Sequence, residues 1–273
     1  GYIVGDGVMG FKTPNGFVKS EKGKIYRNGS YDYDIIHTQH KPITERLLQL
    51  YPDLPKISTI HSEVISLEDP IKGDTILKYI TIRPEISEKI ELVDNIEKEK
   101  INLIYNPVSS KRFNTDNIKD NGYILFVGTI DYLREKTIKD VSEYAKSKEK
   151  ELWIVGENKS NYLNELLKLS HIKHFPPTNK IEKFVKECSE TSGILLGRTT
   201  IESGMCGKPS WIYDIDKEGN IKDKELTYPP DNIQKFYSSE VAKKIKQLYI
   251  DTIKEWDEKL DIEEEKKYKE IIE

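Results

Sequence analysis

Residues 197–214 read GRTTIESGMCGKPSWIYD: a glycine turn, a helix-length run and an apolar strand in close succession. GILL (193–196) precedes them as a further apolar run. Thr199 and Thr200 are residue types that cap helix N-termini, which sets the helix start there and places Glu202 in its first turn. A helix beginning at this point offers unpaired N–H groups and the positive end of its dipole to a phosphate. The Glu202 carboxylate can accept two hydrogen bonds from a vicinal diol such as a ribose. Gly204 and Gly207 flank Cys206 and let the helix pack tightly on a sheet; Lys208-Pro209 ends it before the next strand. Strand, turn, helix and strand in this order belong to a parallel sheet, whose ligands sit beyond the carboxyl ends of the strands.

The flanking sequence keeps that rhythm. YILFVG (123–128) precedes a helix over 135–147, ELWIVG (151–156) precedes one over 160–169, and HIKHF (171–175) precedes NKIEKFVKECS (179–189). PSWIYD (209–214) is expected to be the last core strand. Gly128 and Gly156 end strands as Gly197 does, at the positions where backbone amides approach an anionic ligand. Upstream, DIIHT (34–38), KISTIH (56–61), ILKYITI (76–82) and INLIYNPV (101–108) alternate with helix-length segments, predicting a second set of βαβ units. The polar stretch 109–117 reads as a linker. Tyr237, Val241, Ile245, Leu248 and Tyr249 share one face of a terminal amphipathic helix, which runs on into a charged tail.

With 273 residues, 36% apolar and 33% charged, two α/β lobes are expected. A net charge of −4 supplies no global field toward nucleic acid or anionic lipid. The two cysteines, Cys188 and Cys206, suit a reduced compartment better than a disulfide framework. No apolar run is long enough to span a membrane and no leader is evident, so a cytoplasmic protein is expected.

GDGVMG (5–10) satisfies the glycine spacing of a dinucleotide fingerprint, but Pro14 and Gly16 stand where the helix that fingerprint needs should begin. Asp214-Ile215-Asp216 has the form of a metal-holding D-x-D, and His37/His40 and His171/His174 are paired at His-x-x-His spacing without a recognisable third ligand. Surface or strand-end roles are the simpler reading of these groups.

Residues 197–214 resemble the nucleotide-sugar-binding segment of GT-B glycosyltransferases, especially the large retaining family of glycogen-synthase-like and mannosyltransferase-like enzymes (glycosyl transferases group 1). YILFVGTIDYLREK, ELWIVGE and INLIYNPVSSKRF resemble, in order, that family's C-terminal domain opening, its second strand and its interdomain crossing. The resemblance implies two Rossmann-like doubly wound domains facing across a cleft: residues 1–108, a compact acceptor domain; 109–250, a nucleotide-sugar domain; and 251–273, a helix returning toward the first domain. It implies metal-independent transfer of a sugar, with retention, from a nucleotide diphosphate sugar to a glycan, lipid, protein or nucleic acid, with the donor as substrate and no cofactor.

Within that resemblance Glu202 holds the donor ribose and the amides around Thr199 and Thr200 meet the diphosphate. Thr129 stands at the family's Arg position and Arg134 at its Lys position; Lys136, Arg198 and Lys208 are further cations, and Gly128 and Gly156 line the donor site. His61 matches a strand-end histidine facing the reacting sugar, so His61 and Arg134 are the expected catalytic residues. Gly5, Asp6 and Gly7 are expected to line the cleft. The family's earlier Glu, eight positions before Glu202, is Ile194 here. That departure and Thr129 keep open a catalytically weak GT-B-like binding or scaffold subunit, and the existence of small GT-B enzymes that modify nucleic acid keeps open a viral-type glycosyltransferase of that kind.

Overall fold

A computed structural model describes residues 10–13, 16–21, 24–25, 33–63, 65–195, 197–227 and 232–272. The chain divides into two compact units, Gly1–Ile104 with Ile245–Glu273, and Tyr105–Lys244.

In the first unit β1 (Gly10–Thr13), β2 (Gly16–Glu21) and β3 (Lys24–Ile25) form an antiparallel meander. Gly10, the last glycine of GDGVMG, thus opens a strand rather than the helix a dinucleotide site requires. Gly5, Asp6 and Gly7 lie outside the described residues.

The unit's second sheet is built from β4 (Ile36–Gln39), α1 (Lys41–Leu50), β5 (Lys56–Ile60), β6 (Ile76–Thr81), α2 (Pro84–Leu92) and β7 (Ile101–Leu103). Its four strands are parallel and follow one another in chain order. β5 is buried at every position, as a central parallel strand covered on both faces must be. Its Lys56 is accommodated because Nζ donates to the Tyr51 and Leu54 carbonyls at 2.5 and 2.7 Å and to Thr75 Oγ1 at 3.1 Å. Pro84 starts α2 where a missing N–H costs nothing, and Ile86 and Ile90, one turn apart, bury that helix against Ile60, Ile76 and Tyr79.

The second unit runs β8 (Tyr123–Val127), α3 (Glu135–Ser147), β9 (Glu151–Val155), α4 (Tyr162–Leu166), β10 (Ile172–Phe175), α5 (Ile181–Glu187), β11 (Glu190–Ile194), α6 (Arg198–Met205), β12 (Ser210–Ile215) and β13 (Ile221–Thr227). The strand order is β10-β9-β8-β11-β12-β13, parallel except for β13, which returns antiparallel along β12. This is the doubly wound order, and its direction of winding reverses between β8 and β11. Alternate residues of β8 feed opposite faces: Ile124 and Phe126 pack with α3 residues Ile138 and Val141, whereas Tyr123 and Leu125 pack with Val185, Ile201 and Met205. Two apolar layers on one sheet explain why YILFV reads as a continuous apolar run.

Residues 109–117 are not a linker: Phe113 is 1% exposed and belongs to the second of these layers. The chain ends in α7 (Ser238–Ile272), whose Tyr249 hydroxyl lies 2.5 Å from His37 Nδ1 and whose Glu255 pairs with Lys78 at 2.7 Å, all within the first unit. Among the described residues no helix is long and apolar enough to cross a membrane.

Candidate functional site

A cavity of about 500 Å³ opens at the carboxyl ends of β8, β9, β10 and β11, where the winding reverses. Volume and position are those of a small-molecule site in an open α/β sheet. Each strand end contributes to its wall: Gly128 and Thr129 after β8, Gly156 after β9, the Pro177–Asn179 turn after β10, and Arg198, Thr199 and Glu202 on α6. Six residues singled out in the sequence, Gly128, Thr129, Gly156, Arg198, Thr199 and Glu202, therefore meet in one place.

The local geometry follows from small residues. At Gly156 a Cβ would stand 1.8 Å from the Gly128 carbonyl oxygen, so the β8 and β9 ends approach backbone to backbone. The turn after β11 is tight, with Leu195 in the left-handed region (φ 57) and the Gly197 N–H donating to the Leu195 carbonyl at 2.7 Å. Helix α6 starts earlier than the threonines suggested: Gly197 is its N-cap, and Arg198, Thr199 and Thr200 are its first three helical residues. Their amides have no acceptor within the helix, and no side chain caps it. Glu202, the fifth residue, lies in the second turn rather than the first.

Glu202 is 4% exposed yet forms part of the cavity wall. Its Oε1 accepts from Arg198 Nε at 2.8 Å. Burial raises its carboxyl pKa above the usual range, and the Arg198 guanidinium works against that rise. A buried carboxylate held by an exposed arginine is a directional hydrogen-bond acceptor with little water to compete for it.

Thr200 turns away from the cavity. It is buried, its Oγ1 has no partner among the described residues, and a side chain on Gly193 would start 3.5 Å from that oxygen. Arg134 lies over the first strand end, its Nε 3.7 Å from where a Gly128 side chain would begin, and its Nη1 pairs with Asp131 Oδ2 at 2.5 Å. Lys136 is outside the cavity wall and bonds to Asn220. Arg112, from the polar stretch 109–117, also lines the cavity and donates from Nη2 to the Asn179 carbonyl and to Glu182, both at 2.5 Å. No sequence motif marks it; the burial of neighbouring Phe113 and its bonds to Asn179 and Glu182 hold it there.

His61 lies in the other unit, directly after β5. Burial lowers its pKa, and its Nε2 is buried without a partner among the described residues. Its backbone N–H donates to Glu68 Oε2 at 2.9 Å, while Glu68 Oε1 bonds to His40 Nδ1. The His40 and His61 rings lie 5.6 Å apart.

The remaining polar motifs are taken up locally. Asp216 Oδ1 accepts from the amides of Glu218 and Asn220 at 2.9 and 2.8 Å, closing the β12–β13 turn, and Asp214 is exposed on β12. His37 bonds to Tyr249 and Thr59, His171 to Ser142, and His174 to the Gly156 carbonyl. Among the described residues no three His, Cys, Asp or Glu side chains are grouped to hold a metal.

No family model matches the chain, and no curated protein does. Solved structures do. AviGT4, a glycosyltransferase involved in avilamycin A biosynthesis, matches with a TM-score of 0.58 at 10% identity, over 82% of this chain and 75% of its own. HepE from Anabaena in complex with UDP-glucose matches with a TM-score of 0.52 at 14% identity, over 84% and 79% of the two chains. In its complex with UDP, HepE matches at 0.51 and 14% identity, over 65% of this chain and 59% of its own. The chain has the GT-B glycosyltransferase fold. At these identities the likeness is one of fold, and the GT-B architecture accounts for two successive units each built on a parallel sheet.

Proposed function

We propose that the chain is a glycosyltransferase that moves a sugar from a nucleoside diphosphate sugar to a hydroxyl acceptor, the donor nucleotide lying in the cavity of the second unit. The observation that carries this reading is Glu202: a buried carboxylate in the wall of a cavity at the winding reversal, beside the open amino end of α6. The carboxylate accepts from the ribose hydroxyls, and the amides of Arg198, Thr199 and Thr200 meet the diphosphate. Arg134 and Arg198 supply the positive charge that stabilises the departing nucleoside diphosphate, without recourse to a metal ion. HepE, of the same fold, has been crystallised with UDP and with UDP-glucose, which makes these the first probes.

Titration calorimetry of the full chain with UDP, GDP and ADP tests the donor site. We expect one of the three to bind and Glu202→Ala to weaken it with the melting temperature preserved; equal affinity in the variant overturns the assignment. Release of UDP from UDP-glucose in the presence of a hydroxyl acceptor then separates an enzyme from a scaffold that only binds the nucleotide.

A further inference from the structure

Resting on the donor site proposed above, we infer that Arg112 is the specificity-determining residue for the nucleotide base. Its guanidinium donates to a ring carbonyl, so the cavity takes a keto base, uracil or guanine, and turns away an amino base, cytosine or adenine. Every residue concerned belongs to the second unit.

Helix α6 orders the cavity wall. The diphosphate meets its amino end at Arg198 and Thr199, and the ribose meets Glu202, four residues from Arg198 and about one turn further along. Arg112 stands beside Glu202 on the side of α5. Burial raises the Glu202 pKa; after Arg198, the Arg112 guanidinium is the next charge that opposes the rise. Its partner Glu182 lies in the first turn of α5, and its other partner, Asn179, in the turn before that helix. A nucleotide laid with its diphosphate at α6 and its ribose at Glu202 therefore brings its base to Arg112 and the β10–α5 turn.

The guanidinium is only half committed. Nη2 donates to the Asn179 carbonyl and to Glu182 Oε2, both at 2.5 Å, and these two bonds hold the group in place. The Phe113 ring, itself buried, lies 5.4 Å from Arg112 Cζ and anchors the arginine further. Nε and Nη1 bond to no described residue. The side chain is 40% exposed and lines the cavity, so these N–H groups are what it offers to a ligand there.

Arginine has donors and no acceptor. Uracil O4 or guanine O6 facing it gains a charge-assisted hydrogen bond. At the same ring position cytosine and adenine carry an amino group, which sets donor against donor and leaves both without a partner. An arginine that only braced the turn would serve all four bases alike.

Titration calorimetry of the full chain with two pairs of nucleotides, UDP against CDP and GDP against ADP, sets a carbonyl against an amino group at one ring position. We expect the keto member of at least one pair to bind, about tenfold or more tighter than its amino counterpart. Arg112→Gln, whose amide both donates and accepts, should bring that ratio to about threefold or less, and Arg112→Lys, which only donates, should keep the wild-type order. Loss of the brace in the Gln variant weakens both members of a pair together and leaves the ratio alone. In ¹H–¹⁵N spectra of the wild type the Arg112 guanidinium N–H signals, identified by their absence in Arg112→Lys, should shift with the bound keto nucleotide; this reading stands even where Arg112→Gln binds too weakly to compare. Equal affinities within each pair, a preference for the amino member, a ratio unchanged in Arg112→Gln, or guanidinium signals that do not move overturns the base contact and leaves the glycosyltransferase reading standing. Failure of all four nucleotides to bind instead removes that reading and the base contact with it.

Discussion

The Cβ that Gly156 lacks would stand 1.8 Å from the carbonyl oxygen of Gly128. This approach joins the ends of β8 and β9 and shapes one wall of the cavity. Gly156→Ala must therefore push two strand ends apart. We expect it to cost about 1–3 kcal/mol of stability, as overpacking does, and to abolish nucleotide binding; chemical denaturation and calorimetry measure the two effects.

Glu202 separates stability from function. Its folded-state pKa is raised by burial, so the folded chain holds the proton over a range in which the unfolded chain has released it. Stability from this group is complete below the ordinary glutamate pKa and is lost as pH rises through the folded value. Glu202→Gln is expected to match or exceed the wild-type melting temperature at pH 7 while weakening UDP by roughly tenfold or more, the loss of a charged hydrogen-bond acceptor. A variant both less stable and unchanged in affinity would show that the carboxylate serves packing alone.

Arg112 braces the β10–α5 turn through the Asn179 carbonyl and Glu182. Arg112→Ala frees that turn, and UDP affinity should fall about fivefold, roughly the worth of one net hydrogen bond. Unaltered affinity would make the arginine a surface pair of no consequence.

His37 supplies an acid-sensitive anchor for α7. Burial, followed by the neighbouring His61, lowers its pKa from 6.5 to about 4. Between these values the unfolded chain binds a proton that the folded chain refuses, so stability falls as pH drops from 6.5 toward 4, by at most about 1.4 kcal/mol per pH unit. His61, also lowered, adds to the slope. Urea midpoints collected from pH 7.5 to 4.5 should fall less steeply for His37→Gln than for the wild type.

Asp214-Ile215-Asp216 ends β12 and, through Asp216, closes its turn into β13. Asp214→Asn should leave UDP affinity and turnover unchanged, and Asp216→Ala should lower the melting temperature without changing either. Loss of turnover on chelation of divalent ions, restored by adding one back, would contradict it.

The parallel strands were legible because the doubly covered ones announce themselves: YILFV and ELWIV are apolar at nearly every position. Their bounds from the periodicity fall within a residue of β8 and β9. The apolar pattern shows β11 only from Gly193, because its first residues, Glu190, Thr191 and Ser192, are polar; they are buried nonetheless, with Thr191 bonded to Ser210 and Glu190 to Tyr144. β13 carries no apolar pattern. IKDKELT has too much charge for a core strand, and it is a strand only because β12 offers it a partner. The site was half visible: the strand-end glycines and Glu202 announce a βα ligand site by residue type. Arg112 depends on tertiary placement, since nothing in its spacing brings it to the cavity before Phe113 packs into the second unit.

β13 has one further effect. Lys222, Asp223, Lys224 and Glu225 are all exposed along it, and they occupy the border of the six-stranded sheet. A foreign strand docking there would meet opposed signs at successive positions and would have to strip water from each. The border is thus a poor template for intermolecular pairing, and growth of the sheet from one molecule to the next stops at this margin.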